Sequence, residues 1–479
     1  MEKERNIACL KNFKTIDEKA VSEELEEALK TFKRKIVVLD DDPTGVQTVH
    51  DVSVYTDWSL DSVRKGFEEE SRMFFILTNS RGMTVKETTE THLEIAQNIL
   101  IAAKETGKEY VVISRGDSTL RGHYPLETEV LKETIEVRSD QSIDGEIILP
   151  FFKEGGRLTI DNVHYVKEGD TLIPAGATEF AKDKSFGYKA SHLGEWCEEK
   201  SSGKYKAENM IYISLDALRN CEIEAITEKL IQVKGFNKII VNAIDYADIK
   251  VFTIALIKAM AHGKNFIFRS AAAITKVIGG VSDKALLTHD ELILTHNKNG
   301  GIIIVGSHVN KTTQQLDSLK NAGLGIEFIE FNQHRVLEPN GLENEVVRVV
   351  GVVEDKIKAG KTVVVYTRRE RFDLDTDDKD EQLKISVKIS DAVTSIITNL
   401  SIRPNFIIAK GGITSSDVGT KALAVKKASV MGQIKPGIPV WMTGEESKFP
   451  GLPYVIFPGN VGSNTTLTEA VETLMGTSR

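Results

Sequence analysis

The stretch FIIAKGGITSSDVG, residues 406–419, runs from a short apolar segment directly into two glycines and a group of hydroxyl side chains. The FIIA segment is β-branched and aromatic, as in a parallel strand that is covered on both faces. Glycines after such a strand permit a tight turn into a helix. They also allow backbone N–H groups to approach an anion such as phosphate. The stretch predicts a strand, a turn and a helix, and leaves open whether the turn is only structural or binds phosphate.

The same alternation of apolar runs and helical patterns recurs along the chain. The runs are IVVLD (36–40), MFFILT (73–78), YVVIS (110–114), EIILP (146–150), KIIVNA (238–243), NFIFRS (265–270), GIIIVGS (301–307), IEFIEF (326–331), KTVVVYT (361–367), FIIAKG (406–411) and YVIFPG (454–459). Strands that alternate with helices indicate βαβ units and parallel sheets. A chain of 479 residues exceeds one ordinary core. We therefore predict an α/β fold of two domains, each a mostly parallel sheet flanked by helices in three α/β/α layers.

Two further segments complete the predicted organisation. A charged stretch at 284–300 interrupts the alternation, and we assign residues 1–290 to the first domain and 291–479 to the second. Residues 155–190 are rich in Gly, Asp and Lys and predict a long loop or hairpin excursion from the first domain. Because long loops are either disordered or close over a site, the aromatic residues of this excursion favour the ordered alternative.

Composition excludes several classes of function. A net charge of −9 argues against a broad nucleic-acid or anionic-membrane surface. The three cysteines, Cys9, Cys197 and Cys221, lack the spacing of a metal site or a disulfide framework. The charged start shows no signal-peptide pattern, and no apolar stretch approaches the roughly 20 residues that span a bilayer. These features favour a cytoplasmic protein with a small-molecule partner.

Acidic, basic and hydroxyl residues follow three predicted strands of the first domain. The segments are DDDPTG (40–45), NSRG (79–82) and RGDSTLRG (115–122). Ligands of open parallel sheets bind beyond the carboxyl ends of the strands, and these ends converge if the strands are neighbours. Consecutive carboxylates need water or a counter-charge, which Arg81, Arg115 and Arg121 could supply.

A structural network of ion pairs would account for each of these segments separately. Together they favour a pocket for a polyhydroxy acid, because Arg binds a carboxylate through its two-pronged guanidinium and Asp and Ser bind hydroxyls. Four histidines, His50, His123, His164 and His308, lie near predicted strand ends, and without HxH or HExxH spacing we expect each to be packed or hydrogen-bonded and not to bind the metal of a hydrolase. His123 and His164 are the two that we expect to line this pocket.

Glycine and hydroxyl residues dominate the strand ends of the second domain. These ends are Gly306-Ser307, KGGITSSD (410–417) and PGNVGS (458–463). Thr414 and Asp417 approximate a capping box, which predicts a helix that starts here with its free N–H groups facing an anion. Each segment alone is weak evidence, but the three together favour a nucleotide. The chain has no GxxxxGK[ST] loop and no GxGxxG after its first strand, which disfavours an ordinary P-loop enzyme and a dinucleotide-binding protein.

Several of these motifs together resemble the four-carbon acid sugar kinases, long catalogued as a family of unknown function. They are LDDDPTG (39–45), TNSRG (78–82), SRGDSTLRGH (114–123), PFFKEGGRLTIDNVHYV (150–166), GSHVNKTTQQ (306–315), AKGGITSSDVG (409–419) and FPGNVGS (457–463). The resemblance covers nearly the whole chain in the same order. It implies a first domain that binds a sugar acid and a second that binds ATP, with phosphate transferred to a terminal hydroxyl of a threonate, an erythronate or an oxo-tetronate.

The resemblance also implies roles for individual residues. Contacts to the acid would come from Asp41 or Asp42, Arg81, Arg115, Gly116, Asp117 and Ser118, to which the charge argument above adds Arg121. Contacts to ATP would come from Ser307, Gly411, Gly412, Ile413, Thr414, Gly459 and Asn460. Asp41 or Asp42 would accept the proton of the attacking hydroxyl, and Mg²⁺ would accompany the ATP phosphates through ligands that the sequence does not identify. Arg115 stands where these kinases more often have Lys, which puts the identity of the acid in doubt more than the reaction.

Two other functions compete with the kinase hypothesis. A non-catalytic sensor of a sugar acid or nucleotide would keep both sites and lack turnover. An NAD-linked hydroxyacid dehydrogenase would act on similar acids, although the missing glycine fingerprint disfavours it. We expect the two sites of a kinase to close on each other during the reaction. A homodimer is left open, since a two-fold contact leaves no mark in a single sequence.

Overall fold

The structure is a computed structural model that describes residues 2–294, 297–370, 372, 374, 379–459 and 461–477. The chain divides into two compact units, Met1–Asp283 and Lys284–Arg479. The sequence prediction placed this division between residues 290 and 291. Both units are α/β structures with a mostly parallel sheet and flanking helices, so the predicted fold class is confirmed.

The first unit contains strands β1 to β12 and helices α1 to α9. The strands are β1 (Arg5–Asn6), β2 (Lys35–Asp40), β3 (Val52–Tyr55), β4 (Met73–Leu77), β5 (Tyr110–Arg115), β6 (Gly145–Leu149), β7 (Arg157–Ile160), β8 (Val163–Glu168), β9 (Thr171–Pro174), β10 (Ile211–Ile213), β11 (Asn237–Val241) and β12 (Phe266–Ser270). The helices are α1 (Glu18–Thr31), α2 (Leu60–Glu68), α3 (Val85–Thr106), α4 (Leu126–Arg138), α5 (Leu193–Lys200), α6 (Leu215–Arg219), α7 (Ile223–Ile231), α8 (Tyr246–Ala261) and α9 (Ala272–Gly279).

The main sheet of this unit is parallel, in the order β10-β11-β6-β12-β5-β2-β4-β3. Its register aligns the carboxyl ends of four neighbouring strands, because Asp40 pairs with Leu77 on one side and with Arg115 on the other. Arg115 in turn pairs with Ser270 at the end of β12. The side chains that follow these strands therefore project from one edge of the sheet.

Both faces of the sheet are covered by apolar packing. Val37 and Leu39 belong to the core formed with α2, α3 and α4. Ile36 and Val38 are fully buried as well, and they point to the opposite face because side chains alternate along a strand. Helix α8, which is buried along most of its length and packs against α1 and α7, belongs to this unit. A strand buried on both faces reads as a continuous apolar run, which explains why these strands were recognisable.

The predicted excursion folds into an antiparallel meander. Strands β7, β8 and β9 pair in sequence, and the amino-terminal strand β1 extends the sheet to the order β1-β9-β8-β7. The meander is tied to the main part of the unit through paired backbone hydrogen bonds between Thr159 and Ala243, of 2.9 and 3.1 Å. This segment is therefore ordered.

The second unit contains strands β13 to β19 and helices α10 to α15. The strands are β13 (Ile302–Val305), β14 (Glu327–Phe331), β15 (Val363–Thr367), β16 (Ile407–Lys410), β17 (Lys427–Lys435), β18 (Ile438–Thr443) and β19 (Pro453–Phe457). The helices are α10 (His289–Leu292), α11 (Asn310–Lys320), α12 (Gly341–Lys358), α13 (Lys379–Asn399), α14 (Gly412–Asp417), which continues into a π-helical turn at Val418–Ala422, and α15 (Thr466–Met475).

Strands β19, β16, β13, β15 and β14 of this unit are parallel, and the hairpin β17–β18 joins them in antiparallel orientation beside β19. The register aligns Lys410 with Val305 and with Phe457, so the carboxyl ends of β16, β13 and β19 lie side by side. Val305 also pairs with Tyr366 of β15. The glycine-rich segments after these strands are thereby brought together.

Within the described part of the chain, no helix is long and apolar enough to cross a membrane.

Candidate functional site

Carboxylates and guanidinium groups interlock at the aligned strand ends of the first unit. Arg81 binds Asp41 in two-pronged fashion, with Nη2 to Oδ1 at 2.7 Å and Nε to Oδ2 at 3.1 Å. Its Nη1 donates to Oδ2 of Asp42 at 3.3 Å. Arg115 donates to Oδ1 of Asp40 at 3.1 Å and lies 3.6 Å from Asp41. The register places these groups together as the sequence predicted, although Asp40 was not among the predicted site residues.

The three consecutive aspartates differ in their protonation. Burial raises the pKa of Asp40 to about 7, because Arg115 compensates only part of the lost hydration. Burial also raises the pKa of Asp41, against the opposing charges of Arg81 and Arg115. Burial acts on Asp42 in the same direction, but Arg81 and the hydrogen bonds from Thr44 outweigh it and lower its pKa. Asp42 is therefore the most firmly ionised of the three.

Asp41 and Asp42, the two candidate bases, differ in the solvent exposure of their side chains. The side chain of Asp42 is 18% exposed, whereas that of Asp41 is 3% exposed. Thr44 donates two hydrogen bonds to Oδ1 of Asp42, so Oδ2 is the oxygen that faces Arg81. Asp42 is the aspartate of this pair that a ligand can reach, while Asp41 mainly holds Arg81 in place.

Arg269, the penultimate residue of β12, lies at this site and was missed by the sequence prediction. It donates from Nη1 to Glu127 at 3.0 Å and from Nη2 to the backbone oxygen of Arg121 at 2.8 Å. A Cβ atom on Gly116 would overlap the Arg269 guanidinium, which explains the glycine there. Gly122, at φ +120°, also approaches this guanidinium, since a Cβ there would lie 2.7 Å from Nη2. The two glycines let the loop after β5 wrap around Arg269. A single arginine within the apolar run NFIFRS was the available signal.

The loop after β5 carries a second ion pair. Arg121 donates to Asp117 at 2.7 Å, and this contact, together with the charge of Arg81, holds the pKa of Asp117 well below its usual range although burial opposes it. Phe180, from the segment after the meander, lies 5.2 Å from the Arg121 guanidinium. Phe186 packs edge-on against His123, with 4.8 Å between ring centroids. The excursion therefore contacts this loop, as a segment that closes over a site would.

His164 supports the same loop from within the protein. Its Nδ1 lies 3.0 Å from Thr159 Oγ1, and its Nε2 lies 2.8 Å from the backbone oxygen of Ser118. The side chain is fully buried, and burial lowers its pKa to about 4, so the ring is neutral at pH 7. With both nitrogens engaged, His164 contacts the Ser118 backbone and lies beneath the predicted pocket surface. Ser118 itself is largely buried in the loop.

Glycines line the aligned strand ends of the second unit. Gly411 adopts φ +125°, and a Cβ there would lie 3.1 Å from Cβ of Ser307. A Cβ on Gly459 would lie 3.2 Å from Ser307 Oγ, whereas one on Gly412 would meet open space. Ile413 is 73% exposed. The structure thus brings Ser307, Gly411 and Gly459 together and leaves Gly412 and Ile413 accessible, while Asn460 lies outside the described residues.

The helix after the glycines forms, but its predicted capping box is wrong. Helix α14 starts at Gly412 with Gly411 as N-cap, and no side chain caps it. Thr414 is therefore the third residue of the helix, and its hydroxyl packs against Gly306. Asp417 instead accepts a hydrogen bond from Ser390 at 3.2 Å and pairs with Lys421 at 3.1 Å. Gly411 takes a backbone conformation that favours glycine, which lets the chain turn from β16 into the helix.

Two cations beside the glycines were not predicted as site residues. Arg369, two residues after β15, donates from Nη2 to the Ser307 backbone oxygen at 2.6 Å and to Thr313 Oγ1 at 3.0 Å. Its Nη1 is buried and has no hydrogen-bond partner among the residues that the structure describes. Lys410 is fully buried and donates to the backbone oxygens of Pro458 at 2.7 Å and Gly459 at 3.3 Å. Burial lowers the pKa of Lys410 to about 7, and Lys311 contributes in the same direction.

Fold and site define a class: a two-unit α/β protein with an acid-and-guanidinium cluster at one sheet edge and a glycine-lined edge in the other unit. Residues 36–278 match the model of a sugar-binding N-terminal domain, and residues 302–467 match that of a nucleotide-binding C-terminal domain. These two domains are the architecture of the four-carbon acid sugar kinase family, formerly called DUF1537, and the chain belongs to that family. The resemblance noted in the sequence is confirmed.

Solved structures of similar proteins share the fold. A Salmonella typhimurium LT2 protein, provisionally called a tRNA synthase, is 15% identical with a TM-score of 0.64, over 91% of this chain and 98% of that one. Haemophilus influenzae protein HI1011, of the same DUF1537 family, is 18% identical with a TM-score of 0.61, over 91% of this chain and 100% of that one. Identities this low show a common fold alone. No curated protein sequence matches the chain significantly.

Proposed function

We propose that this protein is an ATP-dependent kinase that phosphorylates a terminal hydroxyl of a four-carbon sugar acid of the threonate, erythronate or oxo-tetronate type. The observation that carries the proposal is the pairing of two strand-end sites in one chain. Carboxylates and guanidinium groups meet at the sheet edge of the sugar-binding domain, and glycines meet at the sheet edge of the nucleotide-binding domain. Phosphoryl transfer requires mainly positioning and charge neutralisation, and these two edges are suited to both.

In the first unit, we assign roles to the aspartates and to the loop after β5 from their charge and their solvent exposure. Asp42 presents an ionised and reachable carboxylate that can accept the proton of the attacking hydroxyl. Asp41 keeps Arg81 oriented toward the same edge. The loop Arg115 to Ser118, with Gly116 giving room to Arg269, contributes hydrogen-bonding groups for the hydroxyls of the acid.

In the second unit, the glycine edge suits the phosphates of ATP. Gly412 is exposed and leaves its backbone accessible, whereas Gly411 is buried and its N–H donates to the Phe457 backbone oxygen at 2.9 Å. Arg369, whose Nη1 has no hydrogen-bond partner among the described residues, offers a cation beside Ser307. The described residues contain no group of three or more His, Cys, Asp or Glu side chains that could hold a metal ion. We therefore assign Mg²⁺ to the ATP phosphates, where it would supply charge neutralisation. A cytoplasmic setting suits the free cysteines, Cys9, Cys197 and Cys221.

The test is a panel of D- and L-threonate, D- and L-erythronate and 2-oxo-tetronate, each incubated with ATP and Mg²⁺. We expect ADP release with at least one acid, and a product with one added phosphoryl group by mass spectrometry. Acid binding without ADP release would instead identify the sensor. An absorbance change with NAD would identify the dehydrogenase. Both outcomes would contradict the kinase proposal.

A further inference from the structure

Arg157, at the start of β7, places a guanidinium group near the loop after β5, whose Asp117 and Arg121 are close enough to affect its pKa. Its backbone exchanges two hydrogen bonds with Phe152, of 2.8 and 3.0 Å. Its guanidinium lies 5.6 Å from the centroid of Phe180, the same ring that Arg121 approaches to 5.2 Å. Two arginines from different segments thus share one aromatic neighbour, and both belong to the surroundings of the loop after β5.

Arg157 differs from the other arginines of this region because it has no carboxylate partner. Arg81 pairs with Asp41, Arg115 with Asp40, Arg121 with Asp117, and Arg269 with Glu127. Within the described part of the chain, the Arg157 side chain forms no hydrogen bond or ion pair, and its Nε is buried without a partner. Burial lowers the pKa of Arg157 below its ordinary value, with Asp117 opposing the shift from a distance.

Arg157 is only partly buried, but its Nε is buried without a hydrogen-bond partner among the described residues. A buried donor without a partner is costly, and the contact with Phe180 compensates only part of that cost. Asp117 accepts hydrogen bonds from Arg121 and Thr119 through Oδ2, and among the described residues it forms no ion pair with Arg157. Such a cation is a ready receptor for an anion from outside the chain.

Because no aspartate among the described residues binds Arg157, its position suits the carboxylate end of a sugar acid. A carboxylate placed beside Arg81 or Arg115 would lie close to the three aspartates, of which Asp42 is the most firmly ionised, and would be repelled. The hydroxyl groups of the same molecule are neutral and can donate to these aspartates. The carboxylate end of the acid is best accommodated at the cation that no aspartate binds.

We propose that the guanidinium of Arg157 binds the carboxylate of the sugar acid, with Arg121 beside it across Phe180, and so selects acids over uncharged polyols. This assignment rests on the proposed function, because it presumes that the ligand of the first unit is a sugar acid. It identifies Arg157 as a specificity-determining residue, separate from the aspartates that face the reacting hydroxyl.

The test compares Arg157→Met and Arg157→Lys with the wild-type protein and with Arg5→Met. Arg5 is a matched control, since it also lies over an aromatic ring of the meander, 5.5 Å from the Tyr165 centroid, but is already paired with Asp161. Titration calorimetry measures binding of threonate and erythronate, of the uncharged polyol threitol, and of ATP. Circular dichroism melting establishes that each variant is folded.

Arg157→Met should weaken binding of the acid that the wild type prefers by about 10- to 100-fold, as for loss of one charge-assisted contact. Threitol and ATP should bind to Arg157→Met as they do to the wild type, Arg157→Lys should recover part of the lost affinity, and Arg5→Met should show no loss.

If Arg157→Met binds the acid with wild-type affinity, the assignment is overturned and the kinase proposal stands. If Arg157→Met does not fold, Arg157→Lys replaces it in this comparison, and wild-type affinity of that variant overturns the assignment. Acid binding that depends on Arg157 without ADP release would support the assignment and overturn the kinase proposal. If the wild type binds none of the acids, both are overturned.

Discussion

At the scale of single residues, Asp41 and Asp42 show how neighbours in sequence acquire different chemistry. Both oxygens of Asp41 are engaged by Arg81, and its side chain is almost completely buried. Asp42 is more exposed, and Arg81 and Thr44 keep it ionised. The difference arises from the direction in which each side chain leaves the end of β2.

Replacing either aspartate by asparagine tests the proposed base. Asp42→Asn should lower kcat by about 10²- to 10⁴-fold, as expected for the loss of a general base, with ATP binding unchanged. Asp41→Asn should also lower turnover, chiefly by releasing Arg81. Steady-state kinetics at saturating ATP, with nucleotide affinity measured separately, distinguish the two effects. Near wild-type turnover in both variants would show that neither residue is the base.

At the scale of elements, Lys410 connects the end of β16 to the segment after β19. Its ammonium group donates to the backbone oxygens of Pro458 and Gly459 and lies 4.2 Å from the Phe457 ring centroid. The contact holds the Gly459 backbone beside Ser307, where the glycine-lined edge forms. One buried lysine thereby sets the spacing of two strand ends.

Because the pKa of Lys410 is lowered in the folded protein, we expect the free energy of unfolding to depend on pH. Burial lowers its pKa to about 7 in the folded protein, against an ordinary value of 10.5, so the unfolded chain binds the proton more tightly between these two pH values. The free energy of unfolding should therefore rise with pH across this window, by at most about 1.4 kcal/mol per pH unit from this group. Lys410→Met should lack this increment. Urea unfolding of both proteins at pH 6.5, 8 and 9 checks this, and a constant stability difference across these values would contradict it.

At the scale of the whole molecule, the proposed reaction requires ligands of two separate units to react with each other. The proposed sugar-acid site belongs to Met1–Asp283 and the glycine-lined edge to Lys284–Arg479. In-line transfer needs the attacking hydroxyl to reach the terminal phosphate, and two-domain kinases meet this need by closing around their ligands.

Solution scattering tests this requirement. A non-hydrolysable ATP analogue together with the preferred sugar acid should decrease the radius of gyration, whereas each ligand alone should have a smaller effect. The matched control is Arg157→Met at an acid concentration that saturates only the wild type. A scattering profile that both ligands together leave unchanged would contradict ligand-induced closure.

Much of the fold could be predicted from local pattern. Parallel strands such as β2 and β16 are buried on both faces and are therefore continuous apolar runs. The hairpin β17–β18 escaped prediction because β17 alternates buried and more exposed residues and includes glycine and lysine, while the short apolar run of β18 contains a proline. The meander was predicted only as an excursion, since its strands are short and its pairing depends on the distant residues of β1.

For the site, the residue types after each strand sufficed to predict acidic and basic chemistry in one domain and glycine-rich chemistry in the other. Which of these side chains meet was decided by strand order and register, because pairing between distant segments is a tertiary property. Arg269 enters the site because β12 lies beside β5. Within the described residues, Arg157 has no carboxylate partner, whereas Arg81, Arg115, Arg121 and Arg269 each pair with one, and this contrast requires knowledge of every pairing at once. Local burial and turn patterns thus specify the chemical groups at each sheet edge, whereas the packing of distant segments fixes the partners of these groups and so which charges stay free for a ligand.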